Sequence, residues 1–339
     1  MRIETFTLQY PSFLFPGKTQ YSDSPAPKGL RISRSVNSCN PFNWVRVGRK
    51  IAKTNPDVVV MKFWIPYMAP CLGTIARVIK RHSNARVVSI LDNVIPHEPH
   101  FWDKWMIRYF VSAIDRFIAM SDSVQNDLRL FTDKPCQLVR HPLYDNFGQP
   151  MTKEEAAMAL NVDPKKTYLL FFGLIRDYKG LDLLMQAYAD KRIDKDNVCL
   201  VVAGEFYGNE DKYNALLDEL GIRSYTLWHT RFIPDEEVRT YFSLADMIVQ
   251  PYKSATQSGV TQIAYHFSKP MLVTRVGGLP EIVPDGKVGY VTEVSAKAIA
   301  DALLDFTANP SPSRFAAGIA EEKAKYGWNK MTGAIMETN

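Results

Sequence analysis

Arg176 and Lys179 follow the hydrophobic run Tyr168–Phe172 and its break at Gly173, and they precede an amphipathic segment that opens at Leu181. Backbone amides at a helix N-terminus favour an anion, and two cations of different reach beside them can neutralise a diphosphate. An isolated Arg-x-x-Lys-Gly is also what a solvated loop with a turn-closing Gly180 looks like, so the pair needs support from elsewhere. Further along, Ser258-Gly259-Val260 opens a second helix, Lys269-Pro270 ends it, and Met271–Thr274 reads as a buried strand. Gly277-Gly278 then precedes Leu279-Pro280-Glu281. Two helix N-termini and a glycine pair, each at the carboxyl end of a strand, fall where open α/β sheets bind ligands. The chemistry these residues can perform together is diphosphate recognition.

The elements that must hold them alternate strand and helix from about Val58 to about Ala302, the pattern of parallel sheets covered by helices on both faces. In the first half, strands are expected at Ile3–Leu8, Val58–Phe63, Arg86–Leu91, Arg116–Met120 and Gln137–Arg140. Helices are expected at Trp44–Lys53, Pro70–Arg81, Phe101–Ile114 and Ser121–Leu130. In the second half, the strands are Tyr168–Phe172, Val198–Ala203, Tyr225–His229, Met247–Gln250, Met271–Thr274 and Val288–Val291. The intervening helices are Leu181–Ala189, Glu210–Leu220, Asp235–Leu244, Gly259–Phe267 and Ser295–Ala308. The fold class that follows is α/β, with two Rossmann-like domains whose parallel sheets face each other across a cleft. The aperiodic, turn-rich stretch His141–Pro150 is the hinge. Residues 1–145 form the first, acceptor-side domain and residues 146–325 the donor-binding domain. Residues 326–339 form a tail that returns to the first domain.

Length of 339 residues suggests two domains, and 46% hydrophobic with 23% charged residues excludes disorder and fibrous repeats. No apolar run reaches the length of a membrane span, and the N-terminus has no secretory cleavage pattern. Cys39, Cys71, Cys136 and Cys199 lack paired spacing, which argues against a zinc site and a disulfide scaffold and fits a reducing cytosol. A net charge of +5 permits anionic substrates or lipid and does not call for nucleic acid. Gly17-Lys18-Thr19 imitates the end of a P-loop, but position 12 is Ser where that motif needs Gly and Pro16 sits inside the turn, so a P-loop is rejected.

Five signals occur in order between Tyr168 and Val291: the Gly173 to Lys179-Gly180 loop, Val202-Ala203-Gly204-Glu205, Phe232–Val238, Ala245–Pro251, and Lys269-Pro270 through Gly277-Gly278-Leu279-Pro280-Glu281-Ile282-Val283. Together they resemble the retaining glycosyltransferases of family 4, with GT-B architecture. Asp92–His97 and Ala119–Ser123 match the family's first domain more loosely. The resemblance implies transfer of a sugar from a nucleotide-diphosphate donor to a glycan or lipid-linked acceptor with retention at the anomeric carbon. Lys179 matches the donor-phosphate lysine. The family's phosphate arginine, directly after the glycine, is Leu174 here, so its role passes to Arg176. The glutamates that flank the donor are replaced by Ala255 and Ile263, which removes carboxylate contacts to sugar and ribose and leaves the donor's identity open.

In a front-face mechanism the leaving diphosphate can accept the acceptor's proton, so the protein chiefly positions reactants and stabilises negative charge. Arg176, Lys179 and the amides of Ser258, Gly259 and Val260 carry that task, with Gln257 and Thr261 as neutral hydrogen-bonding groups. No metal and no cofactor is expected beyond the donor substrate, since two cations already serve the phosphates. His97 is either a cleft imidazole reaching the sugar or acceptor hydroxyl or a loop histidine bound to Glu98. Asp92 and Asn93 read as turn formers. Glu205 is placed near base or ribose, Phe232 near the base, and Glu281 in an orienting or structural role. Phe232 and Ile233 are equally readable as core packing around an Asp235 helix cap.

The segment Phe101–Phe110 carries aromatic weight and cations. It is either a peripheral contact to the inner face of a membrane, as lipid-linked acceptors would suit, or, with Trp105, Tyr109 and Phe110 packed inward, ordinary core. Relatives begin with a strand and a glycine-rich turn, whereas this chain opens at what resembles their second strand, so the first domain is expected to lack a strand. A sugar-nucleotide epimerase or phosphorylase on the same fold, and a non-catalytic binding protein, remain open beside the transferase.

Overall fold

The computed structural model describes residues 1–11, 29–96, 100–255, 258–308 and 313–337. His97, Glu98, Gln257 and the Gly17-Lys18-Thr19 turn lie outside the described residues. The chain divides into two compact units, one of Met1–Arg140 with Lys330–Asn339 and one of His141–Asn329.

In the first unit, β1 (Arg2–Leu8) and β2 (Arg31–Asn37) precede α1 (Pro41–Ala52), β3 (Val58–Phe63), α2 (Ala69–His82) and β4 (Arg86–Leu91). They are followed by α3 (Asp103–Ala113), β5 (Arg116–Ala119), α4 (Asp122–Arg129) and β6 (Cys136–Leu138). All pairings are parallel, and they form two separate ladders, β1-β2 and β3-β4-β5-β6. The two ladders meet through side chains. Phe6 packs edge-on against Trp64 at 6.1 Å, and the Trp64 indole donates to Tyr10 Oη at 2.5 Å. β2 escapes sequence pattern because RISRSVN is polar, and its register follows from Glu4, which accepts from Ser35 and binds Lys50 at 3.0 Å. α1 starts three residues earlier than its apolar pattern suggests, since Asn40 caps the Asn43 amide and Pro41 occupies the first turn.

In the second unit, α5 (Lys153–Leu160), β7 (Thr167–Phe172), α6 (Leu181–Tyr188), β8 (Val198–Ala203), α7 (Glu210–Glu219), β9 (Thr226–His229) and α8 (Asp235–Leu244) lead into β10 (Met247–Gln250). Then come α9 (Gly259–His266), β11 (Met271–Thr274), α10 (Leu279–Ile282), β12 (Gly289–Thr292), α11 (Ala296–Ala308) and α12 (Ala316–Lys323). The sheet is parallel throughout, in the order β12-β11-β10-β7-β8-β9, so chain direction reverses its spatial progress between β7 and β10. Leu169, Leu170, Leu200, Val202, Ile248 and Leu272 are fully buried, as a strand covered on both faces requires. α5 was not anticipated from periodicity, yet Thr152 and Glu155 form a reciprocal capping box at its start.

The last helix, α13 (Trp328–Met336), places Met331 and Ala334 against Val88, Ile118, Met120 and Val139 of the first unit. Arg86 donates to the Ile335 and Glu337 carbonyls, and Arg116 to the Glu337 carbonyl at 3.2 Å, so guanidinium groups satisfy carbonyls at the helix C-terminus.

α3 corrects one expectation. Phe110 is fully buried and stacks on Phe63 at 4.3 Å, but Trp105 is 77% exposed and Phe101 85% exposed. Tyr109 is rim-like: Arg77 lies 3.8 Å over its ring and Thr74 hydrogen-bonds its hydroxyl at 2.8 Å. Helical geometry sends positions 104, 105 and 108 to one side, opposite Ile107, Phe110 and Val111, and Phe101 lies in the turn before the helix, so aromatic residues in one short segment need not share one environment.

Candidate functional site

The carboxyl ends of β7, β8 and β10 set the site. Past Phe172 the chain turns at Gly173 (φ 101°) and runs through Ile175, whose amide donates to the Glu205 carbonyl at 2.8 Å. The Tyr207 amide returns a bond to the Ile175 carbonyl at 2.9 Å, so the loops after β7 and β8 are stitched together. Gly204 makes this possible, because a Cβ there would lie 2.0 Å from the Gly173 carbonyl oxygen. Arg176, exposed on this loop, lies 5.3 Å over the Tyr207 ring.

A short 3-10 turn, Asp177–Lys179, ends at Gly180 with φ 69°, and a Cβ on Gly180 would meet the Pro251 carbonyl oxygen at 2.0 Å. That approach draws the turn onto the segment after β10. Lys179 consequently points back under the loop: its Nζ is 3.3 Å from where a Gly173 Cβ would be, and Val260 Cγ2 is 3.8 Å from the same point. Beneath it, Tyr252 is buried, with its ring centroid 5.5 Å from Nζ. Burial, aided by the Arg176 guanidinium, pulls the Lys179 ammonium from its ordinary 10.5 to about 8. No carboxylate offsets this among the described residues. Asp177 faces away, held low in pKa by the Tyr213 hydroxyl at 2.7 Å and by Lys212 at 3.2 Å. Asp182 pairs with Lys253 at 2.7 Å.

Ser258 caps α9 by accepting from the Val260 amide at 3.3 Å, and its hydroxyl also bonds Tyr252 Oη at 3.2 Å. Burial raises the Tyr252 phenol, which stays protonated at ordinary pH. Gly173, Lys179 and Val260 therefore lie together, with Ser258 joined to them through Tyr252. Thr261 is placed differently, because it is fully buried and its hydroxyl donates to the Ser258 carbonyl, which spends its donor inside the first helical turn. Ile263, at a family glutamate position, is core, and Ala255 packs partly against that core.

Glu205 is half-buried at the β8 end, and Glu281 is exposed in the short α10. Phe232 is 66% exposed while its neighbour Ile233 is core, which separates two residues that sequence could not distinguish. Pro234, not Asp235, occupies the cap position of α8. Sequence reasoning passed over Tyr252, Tyr207 and His229. Half-buried His229 bonds Tyr241 Oη through Nδ1 at 2.7 Å, and burial with Arg231 lowers its pKa. The aromatic directly after Pro251 was the available signal for Tyr252. Chemically, a half-buried ammonium without a carboxylate partner among the described residues, a guanidinium at the loop tip and a capped helix N-terminus are groups that can receive an anion.

The family model described as "Glycosyl transferases group 1" matches residues 152–324. Among curated relatives, the D-inositol 3-phosphate glycosyltransferases of Mycobacterium marinum and Streptomyces scabiei are 28% and 29% identical over 240 residues. Each match covers 67% of this chain, and 50% and 54% of the respective relative, so it spans about half the length of these relatives. Among solved structures, sucrose-phosphate synthase from Thermosynechococcus elongatus superposes with TM-score 0.72 at 16% identity, covering 92% of this chain and 83% of the other. Anabaena HepE in complex with UDP gives 0.72 at 14%, covering 90% and 84%. These likenesses, to GT-B glycosyltransferases, establish the α/β fold with parallel sheets.

Proposed function

This chain belongs to the group 1 glycosyl transferases, and from that premise we propose that it moves a sugar from a nucleotide-diphosphate sugar to a glycan or lipid-linked acceptor with retention of anomeric configuration, as a family 4 enzyme. The observation that carries the donor assignment is the half-buried Lys179 ammonium, without a carboxylate partner among the described residues, beneath Gly173, beside Arg176 and near Val260 of the first turn of α9. An unpaired buried cation costs free energy that a diphosphate recovers. The UDP held by HepE supports a uridine nucleotide as the first donor to try.

In the proposed step the acceptor oxygen bonds to the anomeric carbon on the face from which the carbon–phosphate-oxygen bond breaks. The acceptor's proton passes to the departing phosphate oxygen. Lys179, Arg176 and the α9 amides stabilise the charge that develops there, and they do so with donors already in place. Ala255 and Ile263 cannot hydrogen-bond the sugar through side-chain carboxylates, so phosphate contacts carry a larger share of donor affinity. His97, Glu205, Phe232, Glu281 and Gln257 are assigned to the surroundings of base, ribose, sugar and acceptor.

We further propose peripheral contact with an anionic membrane surface through the start of α3 and the turn before it, where exposed Phe101 and Trp105 lie beside Lys104 and Arg108. Large exposed aromatics beside unpaired cations suit the headgroup region. The described residues contain no helix long and apolar enough to cross a membrane.

Calorimetric titration with UDP, GDP, ADP and their sugar conjugates tests the reading. Selective binding of one nucleotide is expected, weakened about tenfold or more in Lys179→Ala by loss of a charge-assisted contact. Equal affinity in the variant would remove the proposed phosphate site.

A further inference from the structure

Arg176 carries one of the two positive charges of the site, yet its exposed side chain makes no hydrogen bond or ion pair among the described residues. What it has is a ring: its guanidinium carbon lies 5.3 Å over the centre of half-buried Tyr207. The root of that ring is fixed from both sides. On one, the Ile175 amide donates to the Glu205 carbonyl at 2.8 Å and the Tyr207 amide to the Ile175 carbonyl at 2.9 Å, which ties Tyr207 to the residue before Arg176. On the other, Asn209 caps α7 by accepting from the Lys212 amide at 3.2 Å.

Lys179 is carried in the same manner, with its Nζ 5.5 Å from the centre of the Tyr252 ring. The carboxylates of the turn and of α6 are engaged elsewhere, Asp177 by Lys212 and the Tyr213 hydroxyl and Asp182 by Lys253. A π-face attracts a cation without neutralising it, whereas a carboxylate would hold it in place and cancel its charge. Cations held by rings are both ordered and available to an anion. For an exposed arginine the ordering matters, because its long side chain otherwise loses rotamer freedom on gripping a ligand.

Resting on the donor-site reading above, we propose that Tyr207 is a positioning residue whose ring holds the Arg176 guanidinium at the loop tip in readiness for the donor diphosphate. Its effect passes through Arg176, and by that route it reaches Lys179 as well. After burial, the Arg176 charge is the second cause that lowers the Lys179 pKa. Release of the guanidinium into solvent relieves that repulsion.

Calorimetry of the full chain with the tightest-binding sugar conjugate of UDP, GDP or ADP reads the contact. Tyr207→Leu should bind about two- to fivefold more weakly than wild type, while Tyr207→Phe, which keeps the ring face, should bind as wild type does. In an Arg176→Ala background Tyr207→Leu should bring no further loss, since the ring then has no cation to hold. Repeated across pH, the affinity of Tyr207→Leu should begin to fall at a higher pH than the wild-type onset near 8, and Arg176→Ala should move that onset in the same direction. Wild-type affinity of Tyr207→Leu, an equal loss in Tyr207→Phe, or an undiminished loss in the Arg176→Ala background would each overturn the assignment. Arg176→Ala and Lys179→Ala separate the two levels: if both weaken binding while Tyr207→Leu does not, the donor site stands and only the positioning role fails. Absence of nucleotide binding by folded wild-type chain overturns both.

Discussion

Raising the pH from 7 to 9 should weaken donor binding about tenfold, through Lys179. In the empty site this ammonium titrates at about 8 because it is buried beside Arg176. A bound diphosphate replaces lost solvation with direct charge and returns the group toward its ordinary 10.5. The difference, roughly 2.5 pH units at 1.36 kcal/mol each, makes the charged site bind better by about 3.4 kcal/mol than the neutral one. Below pH 8 the empty site is already charged and affinity is flat. Above it, binding must import a proton, and affinity falls by about one decade per unit until the bound-state value is reached.

Titration calorimetry at pH 7, 8 and 9 in buffers of different ionisation enthalpy reads both consequences, with proton uptake of about one half per donor at pH 8. The UDP-sugar phosphates do not titrate in this range, and Lys179→Arg, which stays charged, should give a flat profile. Equal affinity at pH 7 and 9, with heats independent of buffer, would refute the placement of Lys179 against the diphosphate. The same depression affects folding with a determined sign. The unfolded chain binds more protons between pH 8 and 10.5, so this group's unfavourable contribution is full below pH 8 and is relieved as pH rises through that window.

Gly180→Ala should destabilise the second unit by about 2–4 kcal/mol, through positive φ and the approach to the Pro251 carbonyl, as denaturant unfolding would measure. Comparable stability would mean that the turn relaxes freely. The double variant Phe101→Ser with Trp105→Ser should lose most co-sedimentation with phosphatidylglycerol-containing vesicles while leaving thermal unfolding near wild type, because both side chains are exposed. Retained binding would exclude α3 as the membrane contact.

The sequence by itself determined the α/β class and the strands that bear the site. Buried strands such as Leu169–Phe171 and Met247–Val249 are continuous apolar runs, and their periodicity survives any arrangement of neighbours. It also determined that Arg176, Lys179 and the Ser258–Val260 turn stand after strand ends, because chain order alone puts a loop there. The polar β2 was illegible, since its reasons lie in Glu4 and Lys50, remote in sequence.

Only the tertiary structure decided which way side chains face. Trp105 is exposed and Phe110 buried within one short helix, Phe232 is exposed beside buried Ile233, and Thr261 spends its hydroxyl on Ser258. Lys179 owes its lowered pKa first to burial and then to Arg176, and the Tyr252 ring beside it comes from a segment that no local pattern connects to it. Tyr144 meets Gly259 across more than a hundred residues, a proximity that propensity and spacing cannot encode because packing of distant elements creates it.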